Sequence, residues 1–205
     1  YKCLRLEPGE IMDEADYENL CLLTGRKFVN KMKKGNGMDI SMPTAQSHYQ
    51  DTINLAYAKY PNDDDRLQKI FREVKLSDYG ARRTIEQMDV DLVNYKKDRH
   101  KLEYVDYFKT FLECKNPPPL KYLFVDEAQD LSVHQWMVVD MIQQVSKPVE
   151  TYVAGDDDQA IFRWAGADIE HFIAMANDDA NTIIPLTQSY RVPKSVHTLA
   201  TKMAQ

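Results

Sequence analysis

The residues best placed to do chemistry stand in Lys121-Tyr-Leu-Phe-Val-Asp-Glu-Ala-Gln-Asp130. Tyr122–Val125 is a short apolar run between three prolines and a cluster of acids, the pattern of a strand buried on both faces in a parallel sheet. Asp126 and Glu127 fall where that strand ends, and the carboxyl ends of parallel strands are where α/β proteins bind ligands. One carboxylate there can hold Mg²⁺ through oxygen and water. Its neighbour can orient or deprotonate a water for attack on a phosphoryl group. A solvated strand end followed by a helix cap is the alternative.

A second strand-then-acid segment follows, Thr151-Tyr-Val-Ala-Gly-Asp156, continued by Asp157, Asp158 and Gln159. An amide both donates and accepts, so Gln159 can sense a terminal phosphate. Just beyond it, Phe162 and Trp164 flank Arg163. Aromatic faces stack on unpaired bases without regard to sequence. A phosphate sensor beside a stacking platform would couple nucleotide state to a nucleic-acid track. Core packing is the alternative for either aromatic.

The elements that must position these groups follow from periodicity and caps. Residues up to about 100 are helical and charged. Asp13 is placed to cap a helix through Leu20, Leu22 and Leu23 that stops near Gly25. Thr44 is placed to cap a helix ended by Pro61. Leu67, Ile70, Phe71 and Val74 form an amphipathic stripe, and Ile85, Met88, Leu92 and Tyr95 continue it. Arg26, Lys27, Lys31, Lys33 and Lys34 form a basic run before Gly35-Asn-Gly37, either a solvated loop or a phosphate-contacting patch. Beyond residue 100, strands and helices alternate. Ser132 and Gln135 make a capping box, Asp168 caps the next helix, Thr182–Leu186 reads as a third strand, and Val192-Pro193 opens a last helix. This grammar predicts a parallel α/β core behind an all-α first half.

Composition sets outer bounds. The 205 residues carry a net charge of −6, so no global basic excess marks a nucleic-acid binder, although a local basic face suffices. Cys3, Cys21 and Cys114 lack metal-ligand spacing and read as reduced thiols of an intracellular protein. No apolar run reaches membrane-spanning length and no signal-peptide layout is present, so the expected location is the cytoplasm, with no membrane partner. The chain opens on Tyr1 and ends within a helical pattern at Gln205, as expected of a piece of something longer.

Three strings, in order, resemble motifs of the UvrD/Rep family of superfamily 1 DNA helicases. Val-Asp126-Glu127-Ala-Gln129-Asp130 is similar to motif II, Gly155-Asp-Asp-Asp-Gln159-Ala-Ile-Phe162-Arg-Trp164-Ala-Gly166-Ala-Asp168 to motif III, and Leu186-Thr-Gln-Ser-Tyr190-Arg191 to motif IV. Tyr104-Val-Asp106-Tyr-Phe is similar to the family's acidic–aromatic helix before motif II. The resemblance covers about Tyr104 to Gln205. It implies a P-loop NTPase (RecA-like) parallel sheet portion with an all-α inserted subdomain. Residues 1–100 would be the helical insertion, 101–186 part of the first motor domain, and 187–205 the start of the second.

The resemblance also implies roles. Asp126 would bind Mg²⁺ and Glu127 would activate the attacking water. Gln159 would contact the γ-phosphate of ATP. Tyr190 would stack on adenine, and Arg191 would neutralise γ-phosphate charge. Phe162, Arg163 and Trp164 would meet single-stranded DNA. The implied activity is ATP-dependent 3′-to-5′ translocation and unwinding of forked DNA. Two departures qualify it. Ala165 stands where many relatives carry a second basic residue. No Gly-x-x-x-x-Gly-Lys-Ser/Thr string occurs, so the phosphate-cradling loop is expected upstream of Tyr1, later motifs downstream of Gln205, and residues 1–205 alone are expected to hydrolyse no ATP. Two other classes compete: a non-motor module binding DNA or protein, and a metal nuclease built on Asp126, Glu127 and Asp156.

Overall fold

The computed structural model describes residues 10–26, 45–188, Tyr190 and 192–204. It divides into two compact units, residues 1–172 and 173–205. The helices of the first half are α1 (Glu14–Leu23), α2 (Ala45–Lys59), α3 (Arg66–Glu73) and α4 (Tyr79–Arg99). Then come α5 (Tyr104–Cys114), β1 (Tyr122–Val125), α6 (Val133–Ser146), β2 (Glu150–Val153), α7 (Ile169–Ala176) and α8 (Lys194–Ala204). The chain is thus a mixed α/β fold with a small parallel sheet.

Local sequence explains most helix ends. Asp13 accepts from the Asp16 amide at 3.0 Å while the Asp16 carboxylate accepts from the Asp13 amide at 3.1 Å, a reciprocal box that satisfies two orphan donors. Asp78 caps α4 through the amides of Gly80 and Ala81. Two apolar clusters hold the helices together. Ile53, Phe71 and Ile85 pack with Tyr49, Tyr57, Leu67 and Met88, while Met12, Leu20, Leu92 and Tyr95 pack with Tyr17. The long helix α4 supplies Ile85 to one cluster and Leu92 and Tyr95 to the other, as its stripe predicts. Val74 ends its own stripe exposed, as the C-cap of α3.

Ion pairs join α1, α4 and α5. The Lys96 side chain, 10% exposed, lies 2.9 Å from Glu103 and 2.8 Å from Asp106. Burial penalises its charge, but the two carboxylates outweigh that and hold its proton more tightly than an ordinary lysine's. The Tyr17 hydroxyl donates to Glu103 at 2.6 Å, and Lys101 reaches Asp16 at 2.8 Å. Burial pushes the Asp16 carboxyl up, yet bonds from Lys101, the Asp13 amide and Tyr95 together hold it below its ordinary value of 3.8. Its folded value is the lower one, so its contribution to stability is full above the unfolded carboxyl's value and is lost as pH falls from there through the folded one. Replacing Lys96 by Met strands two carboxylates in a half-buried corner. The expected loss is about 3–5 kcal/mol, read by urea denaturation; an unchanged midpoint would mean that water already satisfies both acids.

β1 and β2 run parallel, with Tyr122 opposite Glu150 and Val125 opposite Val153. A parallel pair needs a crossover, and α6 provides it. The Gln135 side chain accepts from the Ser132 amide at 2.8 Å and the Ser132 hydroxyl accepts from the Gln135 amide, so the expected capping box starts α6. Trp136, 1% exposed, anchors that helix.

Two expectations change. β1 is not buried on both faces: Tyr122 and Phe124 are 45% and 71% exposed. Side chains alternate across a strand, so these two share the face opposite Val125. Phe124 stacks there on Tyr152, with ring centroids 5.0 Å apart. Residues 182–188 form no strand. A strand needs a ladder partner, none exists among the described residues of its unit, and Pro185 has no amide hydrogen to offer. Arg26 pairs with Asp91 at 2.5 Å, whereas the rest of the basic run and Thr44 lie outside the described residues. Cys21 is a free thiol, and burial raises its pKa. Among the described residues no helix is long and apolar enough to cross a membrane.

Candidate functional site

The two acid-bearing loops leave the sheet side by side. Beyond the paired strands, the Ala154 amide donates to the Val125 carbonyl at 2.8 Å and the Ala128 amide donates to the Ala154 carbonyl at 2.9 Å. Asp126–Glu127 and Gly155–Asp156 therefore share one carboxyl edge, as the parallel register requires. Asp126 accepts from the Glu127 amide at 2.9 Å. Glu127 sits in the left-handed region, at φ 50°. A non-glycine residue there costs about 1–3 kcal/mol and persists only where its neighbours impose it.

Gln129 is among those neighbours. Although polar, it is 1% exposed. Its Nε2 donates to Glu127 Oε2 at 2.8 Å, and its Oε1 accepts from the Asp156 amide at 3.1 Å. Gly155 makes room for it: a Cβ there would stand 2.7 Å from Gln129 Oε1 and 2.9 Å from the Phe172 ring. Asp156 then organises the next turn. Its carboxylate accepts from the Asp158 amide at 3.1 Å and from the side-chain amide of Gln159. A chain of hydrogen bonds thus runs from Glu127 through Gln129 and Asp156 to Gln159.

Downstream, Phe162 is 42% exposed, and residues Arg163–Ala165 form a short 3-10 turn. Gly166 closes that turn at φ 99°, and a Cβ on it would meet the Ala58 side chain at 2.8 Å, so α2 lies against this segment. Arg163 reaches Glu170 at 3.3 Å, but both side chains are exposed and such a pair contributes little. The Asp168 amide donates to the Leu131 carbonyl at 2.8 Å, tying the end of this segment to the loop after β1. Asp168 also accepts from the His171 amide at the start of α7, the cap expected of it.

Asp126, Glu127 and Gln159 therefore come together at one edge, with Phe162 and Arg163 on the loop that follows. Tyr190 belongs to the second unit, where it is 91% exposed. Arg191 and the side chain of Trp164 lie outside the described residues. The sequence reading missed Gln129, placed among the acids as one more polar residue. The available signal was a neutral amide two positions after Glu127 and a glycine opposite, at the end of the second strand.

The donor set suits Mg²⁺, which is bound by one or two carboxylates with water and phosphate oxygens filling its shell. Among the described residues no three His, Cys, Asp or Glu side chains gather as a metal cluster.

Residues 9–180 match the family model of the UvrD/REP helicase N-terminal domain. The chain is 40% identical over 78 residues to the ATP-dependent DNA helicase PcrA of Staphylococcus aureus (strain Mu50), covering 37% of this chain and 10% of the relative. It is 38% identical over 77 residues to the PcrA of Bacillus subtilis, with the same coverage. A probable DNA helicase II homolog of Rickettsia felis is 36% identical over 88 residues, covering 39% of this chain and 13% of the relative. The chain spans about a tenth of the length of these relatives. With the family model covering most of its residues, the chain belongs to the UvrD/REP helicase family, in the N-terminal domain.

Proposed function

We propose that this chain is part of an ATP-dependent DNA helicase that translocates 3′ to 5′ on single-stranded DNA and opens forked duplexes. The observation that carries the reading is the shared edge, where Glu127 and Gln159 are joined by hydrogen bonds through Gln129 and Asp156. Asp126 is the Mg²⁺ ligand in this reading. The ion supplies charge neutralisation at the phosphates of ATP. Glu127 takes a proton from the attacking water. One of its oxygens is engaged by Gln129, and the other can face that water. Gln159 exchanges its bond to Asp156 for one to the γ-phosphate, which is how nucleotide state would reach the loop that follows. Tyr190 stacks on adenine and Arg191 neutralises phosphate charge, both from the second motor domain. Residues 1–100 are assigned to an inserted helical subdomain, 101–186 to the first motor domain and 187–205 to the second. The close approach of Gly166 to Ala58 supports a helical part that braces the DNA-facing turn.

Phe162, Arg163 and Trp164 are the proposed contacts to single-stranded DNA. The longer protein carrying this segment is the object to test, by ATPase with and without single strands and by displacement from 3′- and 5′-tailed duplexes. Hydrolysis without DNA stimulation, or opening of 5′-tailed substrates alone, would overturn the reading. In the same protein, Trp164→Ala is expected to weaken single-strand affinity by about 1–3 kcal/mol, the worth of one stacked base. Fluorescence anisotropy on a labelled oligonucleotide measures it, and unchanged affinity removes Trp164 from the track.

A further inference from the structure

We infer that Gln129 is a positioning residue, setting the Glu127 carboxylate and linking it to the loop that carries Gln159. The inference rests on Glu127 being the group that activates water. Gln129 is fully buried, and both ends of its amide are used: Nε2 toward Glu127 Oε2 at 2.8 Å, with a longer reach of 3.4 Å to Asp130, and Oε1 toward the Asp156 amide at 3.1 Å. The orientation is dictated by its partners. A backbone N–H must face an oxygen, so the nitrogen end is left for the carboxylates.

No other side-chain type satisfies both demands at this size. Met fills the space and makes neither bond. Glu can accept from Asp156 but, ionised, cannot donate to Glu127. Two features of the backbone fit this use of the amide. Glu127 is held in the left-handed region beside it, and Gly155 leaves out the Cβ that would collide with its oxygen. A buried amide that fastens one loop to the other at their active residues does more than fill the core. It holds one carboxylate oxygen at a set place and leaves the second for water. Because Asp156 also binds the Gln159 side chain, a shift of either residue is felt by the other.

The test uses the longer protein carrying this segment and three variants: Gln129→Met, Gln129→Glu and Glu127→Gln. Both Gln129 variants are expected to lower the DNA-stimulated kcat about tenfold or more, as misplacement of a reacting group does. The KM for ATP and the stoichiometry of a fluorescent ATP analogue should stay within about twofold, since Gln129 is buried and both ends of its amide are bonded to protein groups. Gln129→Glu separates positioning from support: it keeps the bond to Asp156 and loses the one to Glu127. Wild-type kcat in Gln129→Glu, or in Gln129→Met, overturns the inference. Loss of nucleotide binding in both Gln129 variants also overturns it, making Gln129 a residue of the fold. Full activity of Glu127→Gln instead removes the assignment beneath it. An inactive Glu127→Gln beside an unaffected Gln129→Met removes the positioning role alone.

Discussion

Glu127→Gln in the longer protein is expected to reduce DNA-stimulated ATP hydrolysis by about 10²–10⁴-fold, the range for a positioned general base. Gln has the size and shape of Glu and can still accept a bond from the Gln129 amide, so the turn at φ 50° should survive. What disappears is the ability to take a proton. ATP affinity is therefore expected to hold, because Asp126, and not Glu127, is assigned to Mg²⁺. Steady-state kcat with saturating single strands, set beside equilibrium binding of an ATP analogue, separates the two quantities. Hydrolysis within tenfold of the parent would assign the water to another group, and Asp156, at the same edge, is the next carboxylate to test.

The second large effect is expected at Gln159. In this structure its amide bonds to Asp156, at the end of a turn capped by the same carboxylate. Truncation to Ala removes the donor proposed for the γ-phosphate while leaving the turn its cap. One preorganised donor is worth about 10²–10³ in kcat. The loss should appear chiefly in the DNA-stimulated rate and in strand displacement, with ATP binding little changed. Gln159→Ala that unwinds normally would leave the coupling to another residue of the loop. Both variants should keep their thermal midpoint, since both side chains are exposed and substitutions at such positions are usually within about 0.5 kcal/mol.

Much of this was legible without coordinates, and for one reason: the deciding interactions are local. The cap at Asp13 and the box at Ser132–Gln135 each span one helical turn, so residue type at fixed spacing predicts them. Ile85, Leu92 and Tyr95 lie on one stripe of α4, and periodicity alone marks them as core. The order of the acid, amide and aromatic strings is likewise a property of the chain itself, and it pointed to the family before any fold was known.

Tertiary structure decided what depends on residues distant in the chain. Polarity puts Gln129 on the surface; it is buried because Gly155, in the loop after the other strand, has no side chain to occupy that space. Alternation predicts which residues of β1 share a face but not whether that face is covered, so Tyr122 and Phe124 were expected inside and are exposed. Gly166 stood in the sequence only as one residue of the acid-to-aromatic string, and the constraint on it came from α2 pressing against it. The parallel register did the rest, setting the ends of β1 and β2 level so that two separate acid loops became one edge.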